Sequence, residues 1–279
     1  MDNAGDYGPV GADSLHIRLF QVRIMALDES WNARSVQSSF WRFYMNSAGG
    51  AVLELDSGLY PLDGGRLYLV PRGVRFSCRN TAPLTHVYAH FDVIGLPGLA
   101  ARRLLNRPVR LPESAPLEEE ARAAAAALAG SAAGVSSVAL WCRVKGLLYR
   151  TLAHYLESLP AEQMGQLGRA ASRLEPVLPA LRFVEQNLAH GVTNRSLAGL
   201  CGMSEDYFIR RFRECVGQTP AQYIIEQRIV MAAQALLFTD LTIEQIAAQM
   251  GFGNRFYLAR VFARHLGLSP AAYRGMSRV

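Results

Sequence analysis

The sequence predicts an α+β chain in two parts: a strand-rich N-terminal barrel or sandwich, then an all-helical C-terminal domain. Three observations predict it. Residues 16–95 hold short runs of β-branched and aromatic residues broken by Gly or Asn, the texture of antiparallel β structure. Residues 114–158 switch to strong helix formers. From about residue 175 the chain reads as helices with short turns, and one phrase is written twice, "GQTPAQY" at 217–223 and "GLSPAAY" at 267–273.

The chain has 279 residues, half of them hydrophobic, ample for packed cores. Residues 1–15 read as a flexible N-terminal arm. They lack the basic and apolar blocks of a signal peptide. No apolar run approaches the roughly 18–20 residues of a membrane span. The expectation is a soluble cytoplasmic protein with no membrane partner. Cys78, Cys142, Cys201 and Cys215 lack zinc-site spacing and read as reduced, mostly buried thiols.

Residues 16–112 are the strand-rich domain. "FWRFYM", "AVLEL", "GLYPL", "RLYLV", "RFSC" and "HVYAHFDV" are its strand candidates. His86, Tyr88 and His90 alternate, so they share one face of a strand. They either line a pocket, with imidazoles for hydrogen bonds and a ring for stacking, or form a polar outer face. Arg42 and Tyr44 on an earlier strand are further candidates for ligand binding. Residues 113–160 are helical. "APLEEEARAAAAALAG" places its acids in the first turns, where the helix dipole favours them. Leu140, Val144, Leu147, Leu148, Thr151, Leu152 and Tyr155 form a stripe at helical spacing. The stripe serves either packing against the barrel or a dimer seam. Residues 161–174, small and polar with two glycines, read as a linker.

Residues 175–279 are the helical domain. Residues 181–279 carry 11 Arg and no Lys against 7 acids, a net +4 of the chain's +6. A basic C-terminal third suits a phosphate backbone as partner. Two helix-turn-helix units are predicted, about 193–217 and 242–267. Thr193 or Asn194 caps the first helix of one unit, and Thr242 with Gln245 forms a capping box in the other. Ala198 and Gly202 recur as Ala247 and Gly251, 49 residues on. Phe208 and Phe212 recur as Leu258 and Phe262, 50 residues on, so the second turn is one residue longer. Ser204 and Asn254 cap the second helices. Gly217 and Gly267 supply left-handed helix ends. Thr219 and Ser269 cap the next helices, Pro220 and Pro270 sit at their first positions, and Tyr223 and Tyr273 close the small cores. Residues 220–237 form one long helix joining the units.

This architecture resembles the AraC/XylS family of bacterial transcription regulators. Residues 176–279 carry the resemblance, most densely in "DLTIEQIAAQMGFGNRFYLARVFARHLGLSPAAYR". The strand-rich half is similar, more weakly, to that family's cupin-like β-barrel sensor, through "LYPLDGGRLYLVPRGVRFS" and "THVYAHFDV". The resemblance implies double-stranded DNA as partner, with helices about 205–216 and 255–265 entering the major groove about one turn apart, roughly 34 Å. Outward candidates are Asp206, Ile209, Arg210 and Arg213, then Arg255, Phe256, Ala259, Arg260 and Arg264. Arg255, near a helix start, is the first choice for a base contact. Ile209, Phe256 and Ala259 offer apolar contact to thymine methyls. Asp206 reaches a cytosine amino group or points away. Arg210 and Arg260 occupy equivalent places and touch DNA or form ion pairs, Arg210 with Glu205 or Asp206. Arg213 and Arg264 touch phosphate, which sets register without sequence content.

The resemblance further implies a small-molecule effector, a sugar or related metabolite, held by Arg42, Tyr44, His86, Tyr88 and His90, and an arm able to fold over it. It implies a homodimer through the helices after the barrel, and activation rather than repression, with RNA polymerase then a partner. No cofactor, metal or catalytic residue is expected. His86 and His90 are too widely spaced on an extended strand, at about 3.3 Å per residue, to ligate one metal unless the strand curls. The alternatives are a barrel that senses a protein partner and a metal cupin enzyme.

Overall fold

The computed structural model describes residues 15–38, 40–96, 104–130, 138–189 and 192–275. Apart from Leu15, the expected arm lies outside them. The chain divides into two compact units. One gathers residues 17–93 and 102–164, the other chiefly residues from 165 onward.

The strands are β1 (His16–Leu27), β2 (Ala33–Gln37), β3 (Trp41–Asn46), β4 (Ala51–Leu55), β5 (Gly58–Leu62), β6 (Leu67–Val70), β7 (Arg75–Asn80), β8 (Leu84–Ile94) and β9 (Val109–Arg110). The six expected runs correspond to β3–β8. They form two sheets, ordered β1-β8-β3-β6-β9 and β2-β7-β4-β5. Side chains alternate across a strand, so each sheet turns every second residue inward. Tyr44, Tyr68 and Val70 from one sheet meet Leu53, Phe76 and Cys78 from the other in a single core.

Two helices follow, α1 (Ala115–Gly130) and α2 (Val138–Glu157), and they pack on each other. Leu140, Val144, Leu147, Leu148, Thr151, Leu152 and Tyr155 are the buried residues of α2. The seam reading of that stripe is corrected: one chain already buries it. The Tyr149 hydroxyl accepts from the Ile17 amide of β1 at 2.8 Å, and Arg66 before β6 pairs with Glu118 of α1 at 3.0 Å. Both bonds tie the helices to their own sheets.

The expected linker 161–174 is helical, and the division between the two units falls within it, after Met164. These residues form helix α3 (Ala161–Leu174). Two glycines cost roughly 1 kcal/mol each against Ala. Ala, Glu, Gln, Leu and Arg fill most of the rest, and Leu167 and Leu174 are buried, which outweighs that cost. After a 3₁₀ turn (Glu175–Val177), α4 (Leu178–Gln186) follows. Leu174, Val177, Ala180, Leu181 and Val184 belong to the first core of the helical unit.

The remaining helices are α5 (Asn194–Leu200), α6 (Glu205–Val216), α7 (Pro220–Phe238), α8 (Ile243–Gln249), α9 (Arg255–Leu266) and α10 (Pro270–Gly275). Helix α7 serves two cores. Ile224 joins Phe208 and Phe212 in the first, while Ile229, Ala232, Ala233 and Leu236 join Leu258 and Phe262 in the second.

Candidate functional site

The two helix-turn-helix units repeat down to single hydrogen bonds. Thr193 with Ser196 and Thr242 with Gln245 form capping boxes. Each turn closes with an amide reaching five residues back, Met203 to Ala198 at 2.9 Å and Phe252 to Ala247 at 2.8 Å. Gly202 and Gly251 sit at φ +64 and +70, a region only glycine enters cheaply. The extra residue of the second turn is Gly253, between Phe252 and the cap Asn254, whose Oδ1 accepts from the Tyr257 amide. Ser204 has the extended backbone of a cap but makes no side-chain cap bond. Glu205 and Asp206 in the first turn answer the helix dipole instead. The repeated phrase also has its packing reason. Tyr223 sets its ring edge-on to Phe212 at 5.7 Å, and Tyr273 to Phe262 at 5.3 Å.

With the inward faces taken by Phe208, Phe212, Leu258 and Phe262, the outward faces are defined. Asp206, Arg210 and Arg213 are exposed on α6, as are Arg255, Phe256, Arg260 and Arg264 on α9. Ile209 and Ala259 are half-buried, and Ile209 packs against the first core. Arg210 lies over the Tyr207 ring at 5.4 Å, and Arg260 over Tyr257 at 5.5 Å. The ion pair considered for Arg210 is absent among the described residues; Glu205 pairs with Arg195 at 3.8 Å instead. The matching place in the second unit has its charges reversed, Arg255 of α9 lying 3.6 Å from Glu244 of α8. Arg255 also lies over the Phe256 ring at 4.9 Å, and that ring is 72% exposed, so it serves no core.

Sequence reasoning missed four of these participants: Arg195, Tyr207, Glu244 and Tyr257. Their signal was the 49–50 residue offset, which pairs Arg195 with Glu244 and Tyr207 with Tyr257. It also missed Arg228 of α7. Its Nε donates to the Leu188 carbonyl at 2.8 Å and its Nη1 to the Gly251 carbonyl at 2.9 Å. This one side chain ties the segment after α4 to the turn of the second unit, and burial lowers its pKa.

In the strand-rich unit, the register places all five expected ligand residues on one face. Arg42 lies opposite His90, Tyr44 opposite Tyr88 and Asn46 opposite His86. That face is the inward one, since Tyr44 and its β6 neighbour Tyr68 sit in the inter-sheet core. Of the two readings of His86, Tyr88 and His90, the polar outer face is therefore corrected. His86 is buried at 2% exposure, whereas Arg42, Tyr88 and His90 are half-buried. Asn46 Oδ1 lies 2.7 Å from His86 Nδ1. The Asn46 amide nitrogen points to the Leu62 carbonyl, so Nδ1 is the donor. Burial, then the charge of Arg42, lowers the His86 pKa to about 3. The same two causes hold His90 well below the ordinary range. Both imidazoles are neutral at pH 7. The Tyr88 ring stands between them, 5.5 Å from His86 and 4.8 Å from His90. No cluster of three metal-ligating side chains occurs among the described residues, and no helix searched among them is long and apolar enough to cross a membrane.

Residues 197–276 match a family model described as a helix-turn-helix domain. The MmsAB operon regulatory protein of Pseudomonas aeruginosa is 30% identical over a match covering 38% of this chain and 40% of that protein. A Streptomyces antibioticus protein described as an AraC-like transcription regulator is 32% identical, covering 46% and 42%. The chain thus spans about two fifths of the length of these curated relatives. ToxT from Vibrio cholerae, solved with an unsaturated fatty acid bound, is 12% identical with a TM-score of 0.50, covering 92% of this chain and 95% of that one. That likeness is one of fold: a strand-rich region followed by helices.

Proposed function

We propose that this chain, which through residues 197–276 belongs to the AraC-type helix-turn-helix proteins, is a sequence-specific DNA-binding transcription regulator controlled by a small molecule held between its two sheets. The observation that carries the reading is the duplicated outward face. Each unit offers an arginine stacked on a tyrosine three residues earlier, Arg210 on Tyr207 and Arg260 on Tyr257. Stacking limits the freedom each guanidinium loses on meeting DNA.

Within this reading α6 and α9 enter the major groove. Arg213 and Arg264, in the last turns, take phosphate and set register. Arg255 reads a base, guided by Glu244, while Phe256 and Ala259 offer apolar contact. Asp206 stabilises its own helix start. The effector acts through different affinities for two presentations of the helical domain, since a ligand shifts an equilibrium only by that difference. ToxT, similar in fold and solved with a fatty acid bound, supports a small ligand in this reading. Homodimerisation, activation, contact with RNA polymerase and a cytoplasmic location enter from the resemblance alone.

Selection of duplexes from a random pool by the full chain tests the function; recovery of no sequence motif overturns it. On the selected duplex, Arg255→Ala is expected to lose about 1–3 kcal/mol of binding and to relax preference at one base pair. Equal weakening across all sequences, read by competition, would instead make Arg255 a phosphate contact.

A further inference from the structure

The inward face of the strand-rich unit holds a positive charge, Arg42, with no negative partner among the described residues. Arg42 reaches across from β3 until its guanidinium lies 5.5 Å from the Phe76 ring of the opposite sheet and 5.0 Å from Phe40. Its Nη1 donates to the Tyr44 hydroxyl at 3.2 Å and lies 3.2 Å from His90 Nε2. Its Nη2 donates to the Ser38 hydroxyl. All three partners are neutral groups. Its Nε has no hydrogen-bond partner among the described residues.

Two carboxylates of these sheets are engaged with other arginines. Asp92, the next inward-register position of β8 after His90, lies 3.9 Å from Arg72. Glu54 pairs with Arg79 at 2.7 Å. No described carboxylate pairs with Arg42. Arg23, also positive, acts on both His90 and Tyr88.

A guanidinium has five N–H donors. Nη1 and Nη2 carry those three contacts, while the Nε–H, on the edge it shares with Nη2, has no partner among the described residues. Two carboxylate oxygens accept side by side from such an edge. The same inward face carries a row of rings, which reaches the guanidinium through His90 and Phe40. Trp31, His86, Tyr88, His90 and Phe40 follow one another with centroids 5.6, 5.5, 4.8 and 4.7 Å apart.

We infer that the effector is an organic carboxylate with an apolar or aromatic body, its carboxylate on the Nε–Nη2 edge of Arg42 and its body along the row from Trp31 to Phe40. This rests on the proposed small-molecule site and replaces the neutral sugar expected from sequence. A neutral polyol fills donors but leaves the charge uncompensated, and a partly desolvated charge is costly until paired. His86 and His90, both neutral, add no competing cation.

The test uses the full chain and paired probes: benzoate, phenylacetate, octanoate, their primary amides, glucose and arabinose. Thermal unfolding is followed by tryptophan fluorescence. At least one acid is expected to raise Tm while its amide at equal concentration does not. Arg42→Gln is expected to abolish the shift and Arg42→Lys to keep part of it. The inference is overturned if acid and amide act alike, if a sugar stabilises wild type and Arg42→Gln equally, or if no acid moves Tm. A cooperative unfolding transition without probe, starting from native-like tryptophan emission, certifies that both variants fold, since all three tryptophans precede the helical unit. Failure of the acids with duplex binding intact sinks the carboxylate alone. Failure to select any duplex sinks the regulator reading and leaves the acid result standing.

Discussion

Gly251→Ala is expected to disrupt the second helix-turn-helix unit, while Gly202→Ala, its counterpart in the first, is tolerated. Both glycines are left-handed, at φ +70 and +64, so each substitution carries the Cβ penalty of that region, about 1–2 kcal/mol. At Gly202 a new Cβ meets nothing within 4 Å, and the cost ends there. At Gly251 it would stand 2.2 Å from the Ala189 carbonyl oxygen and 2.9 Å from Arg228 Nη2. The first obstacle is backbone and cannot rotate away. The second is the side chain bonded to the Leu188 and Gly251 carbonyls, so relief at one point breaks the other. The total should reach the exceptional range above about 4 kcal/mol. The three tryptophans, Trp31, Trp41 and Trp141, all precede the helical unit. The readouts are therefore urea unfolding by far-ultraviolet circular dichroism and binding to the selected duplex. Equal losses for the two variants would mean that the clamp around Gly251 gives way easily.

Acid is expected to destabilise the strand-rich unit steeply below pH 6.5. His86 titrates near 3 in the folded chain because burial disfavours its charged form, and His90 is depressed for the same reason. The facing groups do not rescue the imidazolium: Arg42 and Arg23 are cationic, and burial raises Tyr44 and Tyr88 further from ionisation. Between the unfolded value near 6.5 and the folded values, the unfolded chain binds protons that the native chain refuses. Stability is therefore full above 6.5 and falls as pH drops, by up to about 1.4 kcal/mol per pH unit for each histidine. Urea midpoints from pH 7.5 to 4.5, read by tryptophan fluorescence, should show this slope. Trp31, with its ring 5.6 Å from His86, reports on the site. His86→Asn should remove one histidine's share. A flat profile from pH 7 to 5 in wild type would show that the imidazoles are accessible to protons in the folded chain.

The helical domain was legible because its signals are local. A cap, a left-handed glycine and a Pro at a first helical position act within a few residues of themselves. Writing each twice, at offsets of 49 and 50, removed the ambiguity of any single copy. The strands were legible from β-branched and aromatic runs, and strand alternation put His86, Tyr88 and His90 on one face. The segment 161–174 misled because glycine propensity is weak against the burial of Leu167 and Leu174. The stripe of α2 was legible as a stripe, but periodicity names a buried face without naming what buries it.

The sequence by itself determined the order of the elements, the two helix-turn-helix units and the inward and outward faces of α6 and α9, because backbone hydrogen bonding and side-chain period are set by near neighbours. Only the tertiary structure decided that the α2 stripe is spent inside one chain, that Gly251 is trapped where Gly202 has open space, that Arg255 faces Glu244, and that Arg42 stands among neutral groups with no counter-ion among the described residues. Each depends on groups tens of residues apart meeting in space, and an interaction energy that falls within a few ångströms cannot be assigned before the chain has folded and set those distances.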